Sequence, residues 1–120
     1  GHTLKRDTRT DLAHLSLQEM LQFDDAAFRK KFAATPVKRT GYVRFMRNVL
    51  IACGNSEQAD LVPWIEPYLS HPDALIRGAA VWALSCLVSP DELKDRWQKI
   101  CHFEQDEQVL SEWTDVLSGL

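Results

Sequence analysis

Apolar residues recur at helical spacing along almost the whole chain, and this periodicity constrains the fold more than any other feature of the sequence. No segment alternates apolar and polar residues as a half-buried strand does, so the pattern predicts an all-α chain of about seven helices. From caps and helix breakers we expect their bounds at Ser16–Phe23, Asp24 or Asp25 to the residues before Pro36, Thr40–Cys53, Asp60–Ser70, Asp73–Leu87, Pro90–Phe103 and Asp106–Ser118.

Local signals mark several of these helix ends. Ser16 followed by Glu19 predicts a capping box, in which the side chain of each residue binds the backbone N–H of the other. Gly54-Asn55 is expected to close the third helix, since glycine and asparagine are common just after a helix C-terminus. Pro67 is expected to bend or shorten the fourth helix, because proline lacks the N–H that a helix interior needs.

The predicted helices repeat at a fixed spacing. The motif Asp-x-x-Ile/Val opens two helices 33 residues apart, and the same offset pairs Arg44 with Arg77 and Cys53 with Cys86. Helix pairs that repeat about every 30–40 residues are typical of α-solenoids. Asp-x-x-Ile-Arg before an alanine-rich helix resembles HEAT-type repeats. We therefore predict a HEAT-like α-solenoid, with antiparallel helix pairs stacked in a right-handed array.

The three cysteines are predicted to be reduced and buried. Cys53, Cys86 and Cys101 form no C-x-x-C pair, and each has apolar neighbours. Cys53 and Cys86 are interpreted as equivalent core positions of two repeats. The histidines are scattered as well, and no nucleophile or phosphate-loop motif is present. The sequence therefore predicts neither a metal site nor a catalytic residue.

Basic residues are concentrated in one part of the chain. Residues 26–56, which we call the basic segment, contain seven Lys and Arg and no Asp or Glu. Residues 1–25, 26–56 and 57–120 carry formal charges of −2, +7 and −8. Such asymmetry indicates a surface that binds a polyanion, and a solvated helix face explains the same charges equally well.

A helical wheel brings three polar residues of the basic segment together. Arg44, Arg47 and Asn48 share one side of the third predicted helix, with Met46 and Val49 on the opposite side. Basic and amide side chains on one face suit a phosphate backbone. Alternatively, Arg47 and Asn48 brace a contact between repeats or domains.

Lys38 and Arg39 precede that helix. They lie in Thr35–Gly41, which we expect to be a short loop that ends at a helix N-terminus. The free N–H groups and the positive end of a helix attract anions, and these two side chains add two formal charges. Arg77, by contrast, is expected to form an ion pair within its helix or between repeats, with Asp73 as its neighbour four residues earlier.

Five segments resemble, in order, the C-terminal region of bacterial epoxyqueuosine reductases. They are Ser16-Leu-Gln-Glu-Met-Leu, Phe28-Arg-Lys-Lys-Phe32, Pro36-Val-Lys-Arg39, Arg47-Asn48-Val-Leu-Ile-Ala-Cys-Gly54-Asn55 and Asp73-Ala-Leu-Ile-Arg-Gly-Ala-Ala-Val-Trp-Ala-Leu84. The resemblance covers about Ser16 to Leu87, and Cys53 stands where the family often has Leu.

The resemblance implies that this chain is part of a larger enzyme. Members of the family reduce epoxyqueuosine to queuosine at the wobble position of tRNA, using cobalamin and two 4Fe-4S clusters held by an N-terminal catalytic region. Their C-terminal domain is helical and HEAT-like, and it helps to hold the tRNA. By position, the resemblance implies phosphate contacts with the tRNA anticodon stem-loop from Lys38, Arg39, Arg44, Arg47 and Asn48.

The resemblance also implies a domain organisation. Gly1 and His2 are interpreted as a cloning remnant, 3–15 as a linker from the catalytic region, and 16–120 as one HEAT-like domain that also contacts that catalytic region. No segment is long and apolar enough for a membrane span, and a cytoplasmic protein is expected. The alternative function is a HEAT-type scaffold for protein or interdomain contacts without nucleic acid.

Overall fold

The computed structural model describes residues 15–34 and 36–119, and for residues 36–40 it describes the backbone alone. Within these ranges the regular structure is helical and contains no strand, which confirms the all-α prediction. The α-helices are α1 (Leu17–Leu21), α2 (Asp25–Lys31), α3 (Pro36–Asn55), α4 (Val62–Ile65), α5 (Ala74–Leu87), α6 (Pro90–Ile100) and α7 (Glu107–Ser118). Short 3-10 helices at Ala59–Leu61 and Glu66–Ser70 flank α4. Among the helices described here, none combines the length and the apolar character that crossing a membrane requires.

Side-chain caps begin most of these helices where the sequence predicts. At α1, the Glu19 N–H donates to Ser16 Oγ (3.0 Å) and the Ser16 N–H donates to Glu19 Oε1 (2.9 Å), which completes the predicted capping box. Ser89 and Glu92 form the same arrangement at α6. The caps of α2, α5 and α7 are Asp24, Asp73 and Asp106. Each cap binds N–H groups that the first turn of a helix leaves unpaired.

The start of α3 differs from the prediction. Residues 36–40 form a helical turn, not a loop, and the helix breaks at Gly41 (φ 81°, ψ 159°) before it continues over 42–55. Proline is favoured in a first helical turn because its missing N–H would have no partner there. Pro36 therefore begins this helix, and Gly41 supplies a positive φ that glycine adopts without strain.

α3 ends at the predicted Gly54-Asn55 pair, but Gly54 lies inside the helix and does not cap it. The helix continues to Asn55, and Gly54 is buried. A Cβ at Gly54 would lie 2.5 Å from Cζ3 of Trp82 and 3.1 Å from Cα of Ala83, both on α5. The glycine thus permits a helix contact that is too close for any side chain.

Proline shortens α4, as predicted. Regular α-helix lasts only over Val62–Ile65 and gives way to the 3-10 helix Glu66–Ser70, which contains Pro67. Pro63 lies in the first turn of α4, where the lack of an N–H has no cost.

Two tyrosine hydroxyls hold the chain at the end of α1. The Tyr68 hydroxyl donates to the Leu21 carbonyl, and the Tyr42 hydroxyl donates to the Phe23 carbonyl at 2.7 Å. The last carbonyls of a helix have no partner within it, so Tyr68 supplies one to Leu21, and Tyr42 holds the chain two residues beyond the helix. α1 is thereby tied to α3 and to the 3-10 helix that follows α4.

The core is centred on α5. This helix packs against both α3 and α7 and also contacts α4, α6 and the 3-10 helix Glu66–Ser70. Its buried residues are Ile76, Ala79, Ala80, Val81, Ala83 and Leu84. The small residues among them let the neighbouring helices approach closely. Phe28, Phe32 and Phe45 form an aromatic cluster, with ring centroids 4.9 to 5.5 Å apart, that packs α2 against α3.

The repeat between α3 and α5 is one residue longer than the sequence comparison predicts. Its buried residues pair at a spacing of 34, with Phe45, Met46, Val49 and Leu50 matching Ala79, Ala80, Ala83 and Leu84. The caps of α5 and α7, Asp73 and Asp106, keep the spacing of 33. One residue turns a helix by about 100°. Residues of α3 and α5 that are paired at 33 positions therefore differ by about 100° in their direction around the helix axis.

The cysteines show the effect of this turn. Cys53 is fully buried in α3, whereas Cys86 is exposed on α5 and Cys101 is partly exposed after α6. The prediction of burial is therefore wrong for Cys86 and Cys101, and Cys53 and Cys86 are not equivalent core positions. At a spacing of 34, the residue that matches Cys53 is Leu87, which packs against the core. Burial raises the pKa of the Cys53 thiol to about 11.

Candidate nucleic-acid interface

Arg44, Arg47 and Asn48 are exposed on one side of α3, and Met46 and Val49 are buried on the other. This confirms the arrangement that the helical wheel predicts. The apolar residues of the helix turn one face to the core, so the polar residues between them face outward.

The three exposed side chains line a single cleft. Val43 and Leu75 complete its walls, and the cleft volume is about 680 Å³. Leu75 belongs to α5, and 54% of its surface is exposed. The structure thus brings together three of the five predicted contact residues, Arg44, Arg47 and Asn48, in a cleft between two helices. We call it the basic cleft.

The side chains of Lys38 and Arg39, the other two predicted contact residues, lie outside the described part of the structure. Their backbone belongs to the helical turn 36–40. The prediction of a loop over Thr35–Gly41 is therefore wrong for residues 36–40, since Pro36 already starts a helix there.

Within the described residues, no carboxylate pairs with the arginines of the basic cleft. The cations of the ion pairs found there are Arg29, Arg77, Arg96 and Lys99. A guanidinium group carries a permanent charge and five N–H donors, and it binds phosphate through two parallel hydrogen bonds. Arg44 and Arg47 thus offer anion-binding groups that the described fold does not use.

Arg77 serves the fold, as predicted, but through a different partner. Its Nε and Nη2 donate to the two carboxylate oxygens of Glu104 at 2.8 and 3.0 Å. Its Nη1 donates to the carbonyls of His71 and Pro72 at 2.9 and 3.0 Å. The bonds to Glu104 raise the pKa of the guanidinium. Asp73, the neighbour considered from sequence, caps α5 instead.

A second cleft, of about 340 Å³, adjoins the basic cleft, because Arg47 and Leu75 line both. Four further residues that shape it are Gly78 and Trp82 of α5 and Gln108 and Glu112 of α7. We call it the apolar cleft. Sequence reasoning missed these residues because none belongs to the basic segment. The signal that could have found them is Leu75, an apolar residue of α5 that is not among the buried residues of that helix.

Glu112 gives the apolar cleft an acidic edge opposite Arg47. Partial burial and, to a smaller extent, the nearby Asp115 raise the pKa of its carboxyl group. Gln108 lies one helical turn before it on α7, so the two side chains share a face. The cleft therefore has a cationic wall on α3 and hydrogen-bonding groups on α7.

Asp24, Asp25 and His71 serve the fold. Asp24 caps α2, and Asp25 pairs with Arg29 at 3.2 Å. Nδ1 of His71 accepts the Asp73 N–H. No three His, Cys, Asp or Glu side chains in those regions lie close enough together to hold a metal ion.

Two curated proteins are similar to this sequence. An epoxyqueuosine reductase from Xanthomonas campestris pv. campestris is 30% identical over 78 residues, which are 64% of this chain and 22% of that protein. An epoxyqueuosine reductase from Alicycliphilus denitrificans is 28% identical over 87 residues, which are 66% of this chain and 24% of that protein. The chain is similar to part of an epoxyqueuosine reductase. It spans less than a quarter of the length of either relative.

Neither a family model nor a solved structure matches the chain. The similarity to the two reductases agrees with the resemblance seen in the sequence motifs. It connects this chain with an enzyme much longer than itself.

Proposed function

We propose that this chain is the HEAT-like, tRNA-backbone-binding domain of a cytoplasmic epoxyqueuosine reductase. The basic cleft is the main support for this proposal. Arg44, Arg47 and Asn48 line it together, and neither arginine has an ion-pair partner among the described residues. The similarity to two epoxyqueuosine reductases supports the identity of the polyanion, because the family resemblance implies a tRNA substrate.

The order of helix packing supports a solenoid. α5 contacts both α3 and α7, and the shorter helices α4 and α6 connect these three along the chain. Buried positions recur after 34 residues and helix caps after 33, as expected of stacked helix pairs. In the proposed right-handed array, the basic cleft and the apolar cleft open on the side formed by α3, α5 and α7.

The basic cleft suits the sugar-phosphate backbone. Arg44 and Arg47 bind phosphate oxygens, and the Asn48 amide donates a further hydrogen bond. Lys38 and Arg39 extend this contact from the turn before Gly41. No aromatic side chain lines this cleft, so it positions the RNA and leaves the bases unread.

The reduction itself belongs to the catalytic region of the parent enzyme. Iron–sulfur clusters need cysteine ligands brought close together. Cys53, Cys86 and Cys101 are free, and none is part of a metal-holding group within the described ranges. The residues of this chain thus do not fit the clusters, and they fit a role in holding the tRNA near the catalytic region.

The double substitution Arg44→Glu/Arg47→Glu in the full-length enzyme tests this function. Each lost phosphate contact removes about one unit from the slope of log affinity against log salt, so the slope should flatten by about 2. Affinity for the tRNA should fall on the order of tenfold or more near physiological salt. A filter-binding titration at several salt concentrations measures both quantities.

Lys30→Glu/Lys31→Glu is the matched control, because it makes the same change of charge in the basic segment. Both lysines are exposed on α2, away from the basic cleft. The control should keep most of the affinity and the slope. If the two double variants weaken binding equally, general charge and not the basic cleft binds the tRNA, and the proposal fails.

A protein-docking role is the second candidate, and the exposure of Leu75 inside the basic cleft favours it. In that case the cleft binds an acidic protein surface or the catalytic region of the same enzyme. The Arg44→Glu/Arg47→Glu enzyme would then bind tRNA normally and lose thermal stability as a full-length protein.

A further inference from the structure

The apolar cleft is continuous with the basic cleft. Arg47 and Leu75 form a wall of each, so a ligand held at Arg47 reaches both without crossing another element. A nucleotide has the same two-part form, with a charged phosphate joined through one sugar to a flat base that has apolar faces and polar edges.

The floor of the apolar cleft is open and apolar. A Cβ built at Gly78 meets no atom within 4 Å, so the surface of α5 is bare at this point. Leu75 is more than half exposed on one side of Gly78, and Trp82 is partly buried on the other. Aromatic and guanidinium planes are the surfaces on which unpaired bases stack in protein–RNA complexes.

The α7 edge of the cleft carries unused hydrogen-bonding groups. Within the described residues, the side chains of Gln108 and Glu112 form no hydrogen bond and no ion pair. A carboxylate accepts N–H donors, and a side-chain amide both donates and accepts. Adenine, cytosine and guanine present an amino group on the base-pairing edge, whereas the one N–H donor of uracil there lies between two carbonyl oxygens that repel a carboxylate.

The charges also orient the ligand. Arg47 attracts a phosphate at the α3 wall, and the carboxyl group of Glu112 repels one at the α7 edge. The phosphate therefore lies in the basic cleft, and the base points toward α7.

The geometry points to a subsite for one unpaired, amino-bearing base of an RNA loop in the apolar cleft, with the phosphate of the same nucleotide in the basic cleft. This subsite rests on the proposed function and adds base selection to it. Arg47 belongs to both parts of the site, since its guanidinium binds the phosphate and borders the base. Glu112 and Gln108 are the residues that select the base.

Gly78→Leu in the full-length enzyme tests the subsite, because it fills the open floor without removing a charge. Gly119→Leu is the matched control, since it makes the same change outside both clefts, at a position where a Cβ makes only ordinary contacts. The probes are a tRNA anticodon stem-loop and a set of stem-loops with one abasic position each.

Gly78→Leu should lower affinity for the intact stem-loop by about tenfold, with an unchanged salt slope, because loss of one stacked base is the change expected. One abasic position should weaken the wild-type enzyme by a similar factor and leave the Gly78→Leu enzyme unaffected. Gly119→Leu should bind as the wild type does.

A uridine placed at that same loop position tests base selection. The wild-type enzyme should bind this probe several-fold more weakly than the amino-bearing loop, and Glu112→Ala should remove the difference. Thermal unfolding of each variant shows that the fold is retained.

These outcomes separate the subsite from the proposed function. If Gly78→Leu binds every stem-loop as the wild type does, while Arg44→Glu/Arg47→Glu fails to bind, the subsite is overturned and the backbone-binding role stands. If Gly78→Leu weakens binding at no particular loop position, or lowers only the stability of the full-length enzyme, the apolar cleft holds backbone or a segment of protein and the subsite is again overturned. If both variants bind normally, both proposals fail.

Discussion

Helices α3 and α5 each carry an arginine and a cysteine at positions 33 apart, yet the environments of these residues are opposite. Arg44 of α3 is exposed without an ion pair among the described residues, while the side chain of Arg77 on α5 is only 19% exposed and binds Glu104. The cysteines reverse this order, because Cys53 is buried and Cys86 is exposed. Identical residues at a constant spacing thus do not share a role here.

A helical repeat is sensitive to the insertion of a single residue. The buried positions of α3 and α5 match at 34, so the two helices differ by one residue from the spacing that aligns their letters. That residue corresponds to a turn of about 100°. By burial, the counterpart of Arg44 is Gly78, and the two line adjoining clefts. Arg44 and Gly78, which both belong to the proposed site, therefore correspond in the fold and not in the sequence comparison at a spacing of 33.

Thiol reactivity gives the largest contrast between the two helices. In variants that keep only Cys53 or only Cys86, an aromatic disulfide reagent at pH 8 should modify Cys86 readily and Cys53 about a thousandfold more slowly. Cys53 is buried and burial raises its thiol pKa to about 11, so it reacts only after the helix opens. Equal rates would show that both cysteines lie on the same face and that the spacing of 33 is correct.

Alanine at the paired arginines should separate stability from exposure. Arg77→Ala leaves Glu104, whose side chain is 4% exposed, without its partner, and should lower the free energy of unfolding by about 2–3 kcal/mol. Arg44→Ala removes an exposed group and should change it by less than about 0.5 kcal/mol. Urea unfolding followed by circular dichroism measures both values. A similar loss for both variants would contradict the contrast.

The two glycines should respond in opposite directions to the same methyl group. Gly54→Ala places a Cβ within 2.5 Å of Trp82 and should destabilise the protein by about 1–2 kcal/mol after the gain in helix propensity. Gly78→Ala has open space and should stabilise it by about 0.5–1 kcal/mol. Thermal melts of the two variants decide this, and a loss at Gly78 would indicate that the apolar cleft is closed in solution.

Alkaline pH should give the smallest contrast. The Cys53 thiol has a pKa of about 11 when folded against 9.0 as the reference value, so its contribution to stability is complete below pH 9 and is lost as the pH rises toward 11. From pH 8 to 10 the wild type should lose about 1 kcal/mol more than Cys53→Ala. Cys86→Ala should follow the wild type. Denaturant unfolding at both pH values tests this, and parallel curves for all three proteins would contradict it.

Features with a local cause could be predicted from the sequence. The capping box of Ser16 and Glu19 involves atoms three residues apart, and the effect of Pro67 needs only its missing N–H. The face shared by Arg44, Arg47 and Asn48 follows from the helical period alone. No distant contact is needed to produce these features, so the local sequence is enough to predict them.

Features that depend on how two helices meet could not be predicted. In the sequence, Gly54 indicates a helix end, whereas in the structure it makes room for Trp82 of α5. The exposure of Cys86 and the partner of Arg77 depend on the rotation of α5, which repeated letters do not reveal. The apolar cleft needs three helices, and its residues are spread over α3, α5 and α7.

The tyrosine contacts at the end of α1 also imply an order of folding. α1 has five residues, too few to persist alone in water, and the Tyr68 hydroxyl that holds it comes from 47 positions further along the chain. Closing so long a loop is slow compared with forming α5 and its neighbours in sequence. α1 should therefore be the last described helix to form and the first to open. Protection of the α1 amides from hydrogen exchange would therefore show that all the described helices have packed together.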